Sequence, residues 1–292
     1  LGTLERLPFA VADGMLTGPG CFEMKAGLAM ALPAIAALSD RDGVTLLVTG
    51  DEEVGSPSSR GLIEDTARGA RAALVLEASA DGGALKLERK GVSLYEVVVH
   101  GLAAHAGLEP EKGVNATVEL AHQVRTVAAL GDPAAGTSVT PTVATSGTTT
   151  NTVPAQARFA VDVRARTAAE QQRVDAAVRA LRPALPGAGL EVRGGVNRPP
   201  LDAPASAQLF ARAQALAAGL GIGDLPGVAV GGASDGNFTA GIGVPTLDGL
   251  GAVGGGAHAE TEHVLVGELA PRTQLLHALL SDLLSGPRGG PS

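Results

Sequence analysis

The segment Thr49-Gly50-Asp51-Glu52-Glu53-Val54-Gly55-Ser56 places three consecutive carboxylates two residues after the apolar run Val44-Thr45-Leu46-Leu47-Val48. Such a run predicts a buried strand that delivers its acids from its carboxyl end, the end at which open α/β sheets bind ligands. A second run, Ala72-Ala73-Leu74-Val75-Leu76, ends in Glu77, and Gly18-Pro19-Gly20-Cys21-Phe22-Glu23-Met24-Lys25 sets another acid just before a helical pattern. Any one of these clusters is also what a solvated loop looks like. Three acidic strand or loop ends together suit a hard cation. His258 follows the nearly side-chain-free Gly254-Gly255-Gly256-Ala257 and comes after a predicted strand at 244–247, at the same sheet edge as the acids. Carboxylates with an imidazole suit a zinc-like ion, and two metals sharing a carboxylate can activate a water and polarise a carbonyl. Adjacent side chains in Asp51-Glu52-Glu53 cannot aim at one ion. One acid is therefore free to bind the metal and its neighbour to take a proton from the attacking water.

Two further motifs compete with this reading. Glycines 249, 251 and 254 spell GxGxxG, but no βαβ unit follows them, which argues against nucleotide binding. Gly232-Ala233-Ser234-Asp235-Gly236 spells GxSxG, with Asp248 and His258 downstream in the order of a hydrolase triad. That fold needs several strands between nucleophile and histidine, more than the short span from Ser234 to His258 can supply.

Composition narrows the rest. The 292 residues carry a net charge of −8 without a basic cluster, which excludes nucleic acid as the main partner. No apolar run reaches the roughly 18 residues of a membrane span, so no membrane partner is expected. The single cysteine, Cys21, excludes an internal disulfide and a thiolate zinc site. Aromatics make up only 2% of residues, so the core must be built from Ala, Val and Leu. The chain has no initiator Met and opens mid-pattern, which suggests a missing amino-terminal segment; localisation is left open, with the cytoplasm as the default expectation.

The order of elements predicts two folding units. A helix from Met24, broken or ended near Pro33, a strand leading to Asp51, a helix over 58–68 and a strand ending at Glu77 make a parallel crossover. From about Lys90 the rhythm changes. A strand at 93–100, a helix at 114–130, strands at 137–145 and 156–164, a helix at 168–181 and a strand at 190–193 form a βαββαβ domain. Thr167 and Glu170 read as a capping box at its second helix. Near Asn197-Arg198-Pro199-Pro200 the chain returns to the first unit, with a helix at 206–219, strands at 228–230 and 244–247, a helix at 268–284 and a frayed tail from Gly286 to Ser292. The expected domains are 1–90, 91–202 and 203–292, the middle one inserted.

Taken together, Gly18-Pro19-Gly20-x-x-Glu23-Met24-Lys25-x-Gly27, Asp51-Glu52-Glu53-x-Gly55-Ser56, Glu77, His105-Ala106-Gly107, Asn151 before Val153-Pro154, Asp162-Val163-Arg164, Gly232-x-Ser234-Asp235 and His258 with Glu262 resemble the co-catalytic zinc exopeptidases. These include the glutamate carboxypeptidases of the carboxypeptidase G type, acetylornithine deacetylase, succinyl-diaminopimelate desuccinylase and the aminoacylases, and the glutamate carboxypeptidase branch is the most similar. The resemblance implies an α/β/α sandwich catalytic domain with an inserted ferredoxin-like α+β dimerisation (lid) domain. It implies two zinc ions, with cobalt or manganese as substitutes, and a homodimer acting on small peptides or N-acyl amino acids.

Residue by residue, it makes Glu52 the general base, Glu53 and His258 ligands of one zinc, Glu77 a ligand of the other, and Glu23 the bridging carboxylate. His105 becomes the small-domain histidine that stabilises the oxyanion, in dimers often at the neighbouring protomer's site, while Asn151, Arg164 and Arg198 hold the substrate carboxylate. Two departures stand out. Glu23 occupies a place usually held by Asp, and the family's His-x-Asp motif precedes the segment that Leu1-Gly2-Thr3-Leu4 resembles, so one metal site at most is complete in this chain. The expected reaction is zinc-dependent hydrolysis of an amide next to a free carboxylate, releasing an amino acid such as glutamate. Deacylation of N-acyl amino acids is the alternative, and a truncated, non-catalytic dimerising scaffold the alternative of another class.

Overall fold

The structure is a computed structural model that describes residues 3–286. Expectations that fall on Leu1, Gly2 and the tail beyond Gly286 lie outside the described residues. In chain order the elements are β1 (Ala10–Ala12), β2 (Met15–Thr17), α1 (Ala26–Ala36), α2 (Arg60–Ala67), β3 (Ala73–Leu74), β4 (Leu85–Arg89), β5 (Gly91–His100), β6 (Ala104–His105), α3 (Ala116–Ala128), β7 (Ser138–Ser146), β8 (Thr152–Val153), β9 (Gln156–Ala165), α4 (Ala168–Arg179), β10 (Gly189–Arg198), α5 (Ala203–Gly219), β11 (Gly227–Val230), α6 (Gly236–Gly241), β12 (Thr246–Leu247), β13 (Gly254–Gly255), β14 (His263–Leu265) and α7 (Val266–Ser285). They divide into two compact units, Leu1–Arg89 with Leu201–Ser292, and Lys90–Pro200.

The first unit is mixed α/β. Its short strands pair in parallel, β3 with β12 and β4 with β11. Helices α5 and α7 cover them with Leu209, Ala213, Ala217, Leu275 and Leu279 around Leu85, Leu247 and Leu250. This small-side-chain core follows from the scarcity of aromatics. Burying each leucine is worth about 1.5–3 kcal/mol. Beside it, β1, β2, β14 and β13 form an antiparallel sheet in that order. Helix α1 runs through Pro33 to Ala36, where a kink or an early end was expected; exposed Pro33 still accepts a hydrogen bond from Ala37 N.

The strand expected before Asp51 is not formed. Among the described residues, Thr45, Leu46, Leu47 and Val48 enter no backbone hydrogen bond, and Val48 is 62% exposed. A strand exists by virtue of its ladder, and β3, the neighbour the crossover requires, pairs with β12 instead. The run lies along an apolar cavity of about 770 Å³ shared with Leu28, Ala31, Leu74, Leu276 and Leu280. Hydrophobicity alone had marked it as buried.

The second unit is an antiparallel sheet ordered β10-β5-β9-β7 with α3 and α4 on one face. The period of two along β9 decides which face is which. Ala157, Phe159, Val161 and Val163 are buried, and Arg158, Asp162 and Arg164 occupy the other face. Tyr95, Val97, Val127, Val174 and Val178 complete the core. At the start of α4 only half of the expected capping box is made. Thr167 Oγ1 accepts from Glu170 N at 3.2 Å, while the Glu170 carboxylate accepts from Thr137 Oγ1 and from Arg173.

Candidate metal centre

Three loops of the first unit converge on one point. Glu23 sits in the turn Cys21–Lys25, which leads into α1 from a glycine at φ +69°, Gly20. Glu53 projects from the single helical turn Glu52–Val54, which closes on Gly55 at φ +91°. His258, itself in the left-handed region at φ +58°, stands between β13 and β14. His258 Nε2 lies 2.9 Å from Glu53 Oε1 and 3.7 Å from Glu23 Oε2, and the three donor atoms all fall within 4.8 Å of one another. Lys86 Nζ, 3.8 Å from Glu23 Oε1, supplies one nearby cation.

The turn that carries Glu52 and Glu53 is clamped at both ends. Asp51, first of the three acids, points back: its carboxylate accepts from Ser58 N at 2.8 Å, Ser58 Oγ at 2.6 Å and Ser59 N at 3.2 Å. The two serine hydroxyls and the Ser58 amide hold it well below the usual carboxylate range. Thr49 Oγ1 and Ser56 Oγ both donate to Asp235, at 3.0 and 2.5 Å, tying the turn to the start of α6. This leaves half-buried Glu52 and exposed Glu53 as the turn's two outward acids.

Glu77 is not part of the three-residue group. Burial, then the negative charges of Asp248, Glu23 and Glu52, push its carboxyl up to about 8. The cation beside it is already committed. Arg89 donates through Nε and Nη2 to Asp248 at 2.7 and 3.1 Å, and through Nη1 to Gly232 O at 3.1 Å. Ser234 Oγ donates to Asp248 at 2.5 Å and the residue is 1% exposed, so the GxSxG serine is a structural hydroxyl in this buried network. His258, the third member of that competing triad, faces Glu53 and Glu23. The GxGxxG glycines are packing glycines: a Cβ on Gly254 would lie 2.0 Å from His263 O, and buried Arg272 holds the loop through Gly249 O and Gly251 O.

Four sequence-selected residues lie in the second unit. His105 is exposed, and its Nδ1 accepts from Gly107 N at 3.1 Å and Leu108 N at 3.2 Å. A neutral ring so held carries its proton on Nε2, as a donor. Asn151 stands at the turn before β8, its carbonyl accepting from Ala106 N. Arg164 already grips a carboxylate, donating to both oxygens of Asp162 at 2.7 and 2.8 Å. Arg198 is buried at the end of β10, where its carbonyl accepts from Gln171 Nε2 at 2.9 Å.

Sequence reasoning gave no role to Lys86, to the Arg89–Asp248 pair, or to Glu262, whose carboxylate binds the Glu23 turn. Arg89 and Asp248 stand 159 positions apart, beyond the reach of any local pattern. The motif that included Glu262 marked its place without its partner.

An α/β unit that gathers two carboxylates and an imidazole at loop ends, with a further carboxylate on the same turn, is the framework of a metal-dependent hydrolase. Comparison with known proteins agrees. The model of "Peptidase family M20/M25/M40" matches residues 2–282, and the chain belongs to this family of metallopeptidases and amidohydrolases. Carboxypeptidase G2 of Pseudomonas sp. (strain RS-16) is 32% identical over 98% of this chain and 71% of that protein. A succinyl-diaminopimelate desuccinylase of Methylorubrum extorquens (strain PA1) is 29% identical over 96% of this chain and 78% of its own length. In fold, the chain is similar to aminopeptidase PepT from Bacillus cereus ATCC 10987, with a TM-score of 0.76 and 24% identity over 96% of this chain and 77% of the other. A metallo-carboxypeptidase from Sulfolobus solfataricus gives 0.68 and 16% over 94% and 79%. No described helix is long and apolar enough to cross a membrane.

Proposed function

We propose that this protein hydrolyses an amide bond next to a free carboxylate in a zinc-dependent reaction, releasing a carboxyl-terminal amino acid such as glutamate. The observation that carries the reading is the Glu23, Glu53 and His258 group with Glu52 one residue from a ligand on the same turn. Three protein donors of mixed carboxylate and imidazole type, two of them exposed, fit a catalytic zinc site that keeps a position open. A zinc ion held there would supply Lewis acidity toward the amide carbonyl and would lower the pKa of the attacking water. Glu52 takes the proton from that water and returns it to the leaving nitrogen. For the inserted unit the family resemblance assigns the proton on His105 Nε2 to the developing oxyanion, and Asn151, Arg164 and Arg198 to the substrate carboxylate, for which Arg164 would exchange Asp162. Glu77 is assigned to a second ion, with cobalt or manganese able to replace zinc. The inserted unit, spanning about residues 91–202, serves as a ferredoxin-like dimerisation domain.

The likeness to succinyl-diaminopimelate desuccinylase favours a second reading, removal of the acyl group from an N-acyl amino acid by the same residues. Metal analysis together with hydrolysis of acyl-glutamates, dipeptides and N-acetyl amino acids, with and without a chelator, separates the readings. Bound zinc with chelator-sensitive release of glutamate supports the first, and preference for N-acetyl substrates supports the second. Neither metal nor turnover would leave a dimerising scaffold.

A further inference from the structure

Beside the candidate metal ligands lies a buried acid that the proposed reaction does not use. Glu262 is only 5% exposed, yet among the described residues none of its hydrogen-bond partners is a cation. Its Oε2 accepts from Gly20 N at 2.7 Å, and its Oε1 from Phe22 N at 2.9 Å and Glu23 N at 3.0 Å. The recipients are the backbone of the turn that aims Glu23, including the amide of Glu23 itself.

Glu262 belongs to the loop of His258. That loop is a tight double turn, with Ala259 N donating to Gly256 O and Glu262 N to Ala259 O. It is followed at once by β14, which pairs with β2 through His263 opposite Thr17. The strands anchor both loops at their roots, and the Glu262 carboxylate reaches from the foot of its own loop to the amides of the Glu23 turn. We propose that Glu262 is a positioning residue, one that fixes the Glu23 carboxylate relative to His258 so that the donor set stands assembled before a cation arrives. This role rests on the metal-centre reading above. Groups that orient metal ligands commonly change affinity by about 10–100-fold when removed.

The test uses the full chain and zinc or Co²⁺ as the probe. In Glu262→Gln one oxygen survives, but an NH₂ now opposes an N–H of the turn; in Glu262→Ala all three bonds are lost. Zinc affinity, measured against a competing chelator, should fall about 10–100-fold in Glu262→Gln and further in Glu262→Ala. The visible spectrum of bound Co²⁺ should change with it. In metal-free protein, hydrogen exchange should accelerate at Gly20, Phe22 and Glu23 while the β5–β9 amides keep their protection. Lower thermal stability with unaltered zinc affinity and Co²⁺ spectrum overturns the positioning role alone. Fast exchange of those three amides in the unaltered protein overturns it too, without any variant having to fold. Failure of the unaltered protein to bind either ion overturns the metal-centre reading and this role with it.

Discussion

The inserted unit and the surroundings of Glu77 treat carboxylates in opposite ways. In the inserted unit acids are met by donors: Asp162 by Arg164, Glu170 by Arg173 and Thr137, Asp175 by Arg179 and Tyr95, and buried Glu119 by Gln123 and the amides of Ala184 and Leu185. Around buried Glu77 acids face an acid. Glu77 lies in the field of Asp248, Glu23 and Glu52, and Arg89, the opposing charge, is already shared out to Asp248. The consequence is a divergence between two residues of one type. Glu77 is driven up to about 8 by burial and like charge, and Glu170 is drawn down to about 2 by Arg173 and Thr137. A folded protein keeps uncompensated negative charge where a cation or a proton is to be handled. The inserted unit shows that the same chain can neutralise acids where nothing of the kind is needed.

The largest effect expected from breaking this contrast is chemical. On the proposed mechanism Glu52→Gln removes the proton carrier and leaves the proposed ligands in place, so turnover should fall about 10²–10⁴-fold with zinc content unchanged. Turnover and metal analysis on one preparation check both halves. Next comes a change in the core of the inserted unit that should leave the metal centre untouched. Phe159 is 1% exposed at the centre of its sheet, and Phe159→Ala should cost about 3–5 kcal/mol in that unit. Denaturant unfolding reads the loss, and zinc affinity of the still-folded variant should match that of the parent. Loss of zinc binding along with the core would show that the two regions are not separable.

How much of this could be read beforehand depended on the range of the interaction. Glu23, Glu53 and His258 were legible because each follows a local signal, a Gly-Pro-Gly turn, an apolar run or a glycine loop. The alternation in β9 and the helices α3, α4 and α7 were legible for the same reason, within two or three residues at their ends. The segment 44–48 was misread because apolar character says that a run seeks cover, and not which strand will pair with it. Arg89–Asp248 and the grip of Glu262 on the Glu23 turn were illegible, since the partners stand 159 and about 240 positions apart. The GxSxG motif misleads from the opposite side. Its local spelling fits a nucleophile, the short span to His258 argued against a triad, and the fold shows Ser234 hydrogen-bonded to Asp248.

A smaller effect should follow from Glu77. Its carboxyl titrates near 8 in the folded, metal-free protein and near the ordinary glutamate value when unfolded, so between about 4.5 and 8 the native state holds more protons. Stability contributed by the neutral form is therefore complete at low pH and lost as the pH rises through that window. Glu77→Gln should flatten the decline and stabilise metal-free protein at pH 8 by on the order of 1–3 kcal/mol, seen as a higher melting midpoint. Thermal melts from pH 5 to 8 check it, and an unchanged slope would show that the charge of Glu77 is compensated.

The smallest effect should come from Glu170, and its sign is the reverse. Arg173 and Thr137 lower its carboxyl to about 2, so the native state holds fewer protons than the unfolded chain between about 4.5 and 2. The stability from these contacts is present above the unfolded value and is lost as the pH falls through that window. Glu170→Gln should lower the melting temperature slightly at pH 7, because an exposed pair contributes little. It should make almost no difference near pH 2, where the carboxyl is protonated in the unfolded chain and half protonated in the native state. The melting temperatures of parent and variant should therefore converge toward acid. For Glu77 the separation from its glutamine variant grows toward alkali, so two melts at opposite ends of the pH range tell whether the contrast between the units is electrostatic in origin.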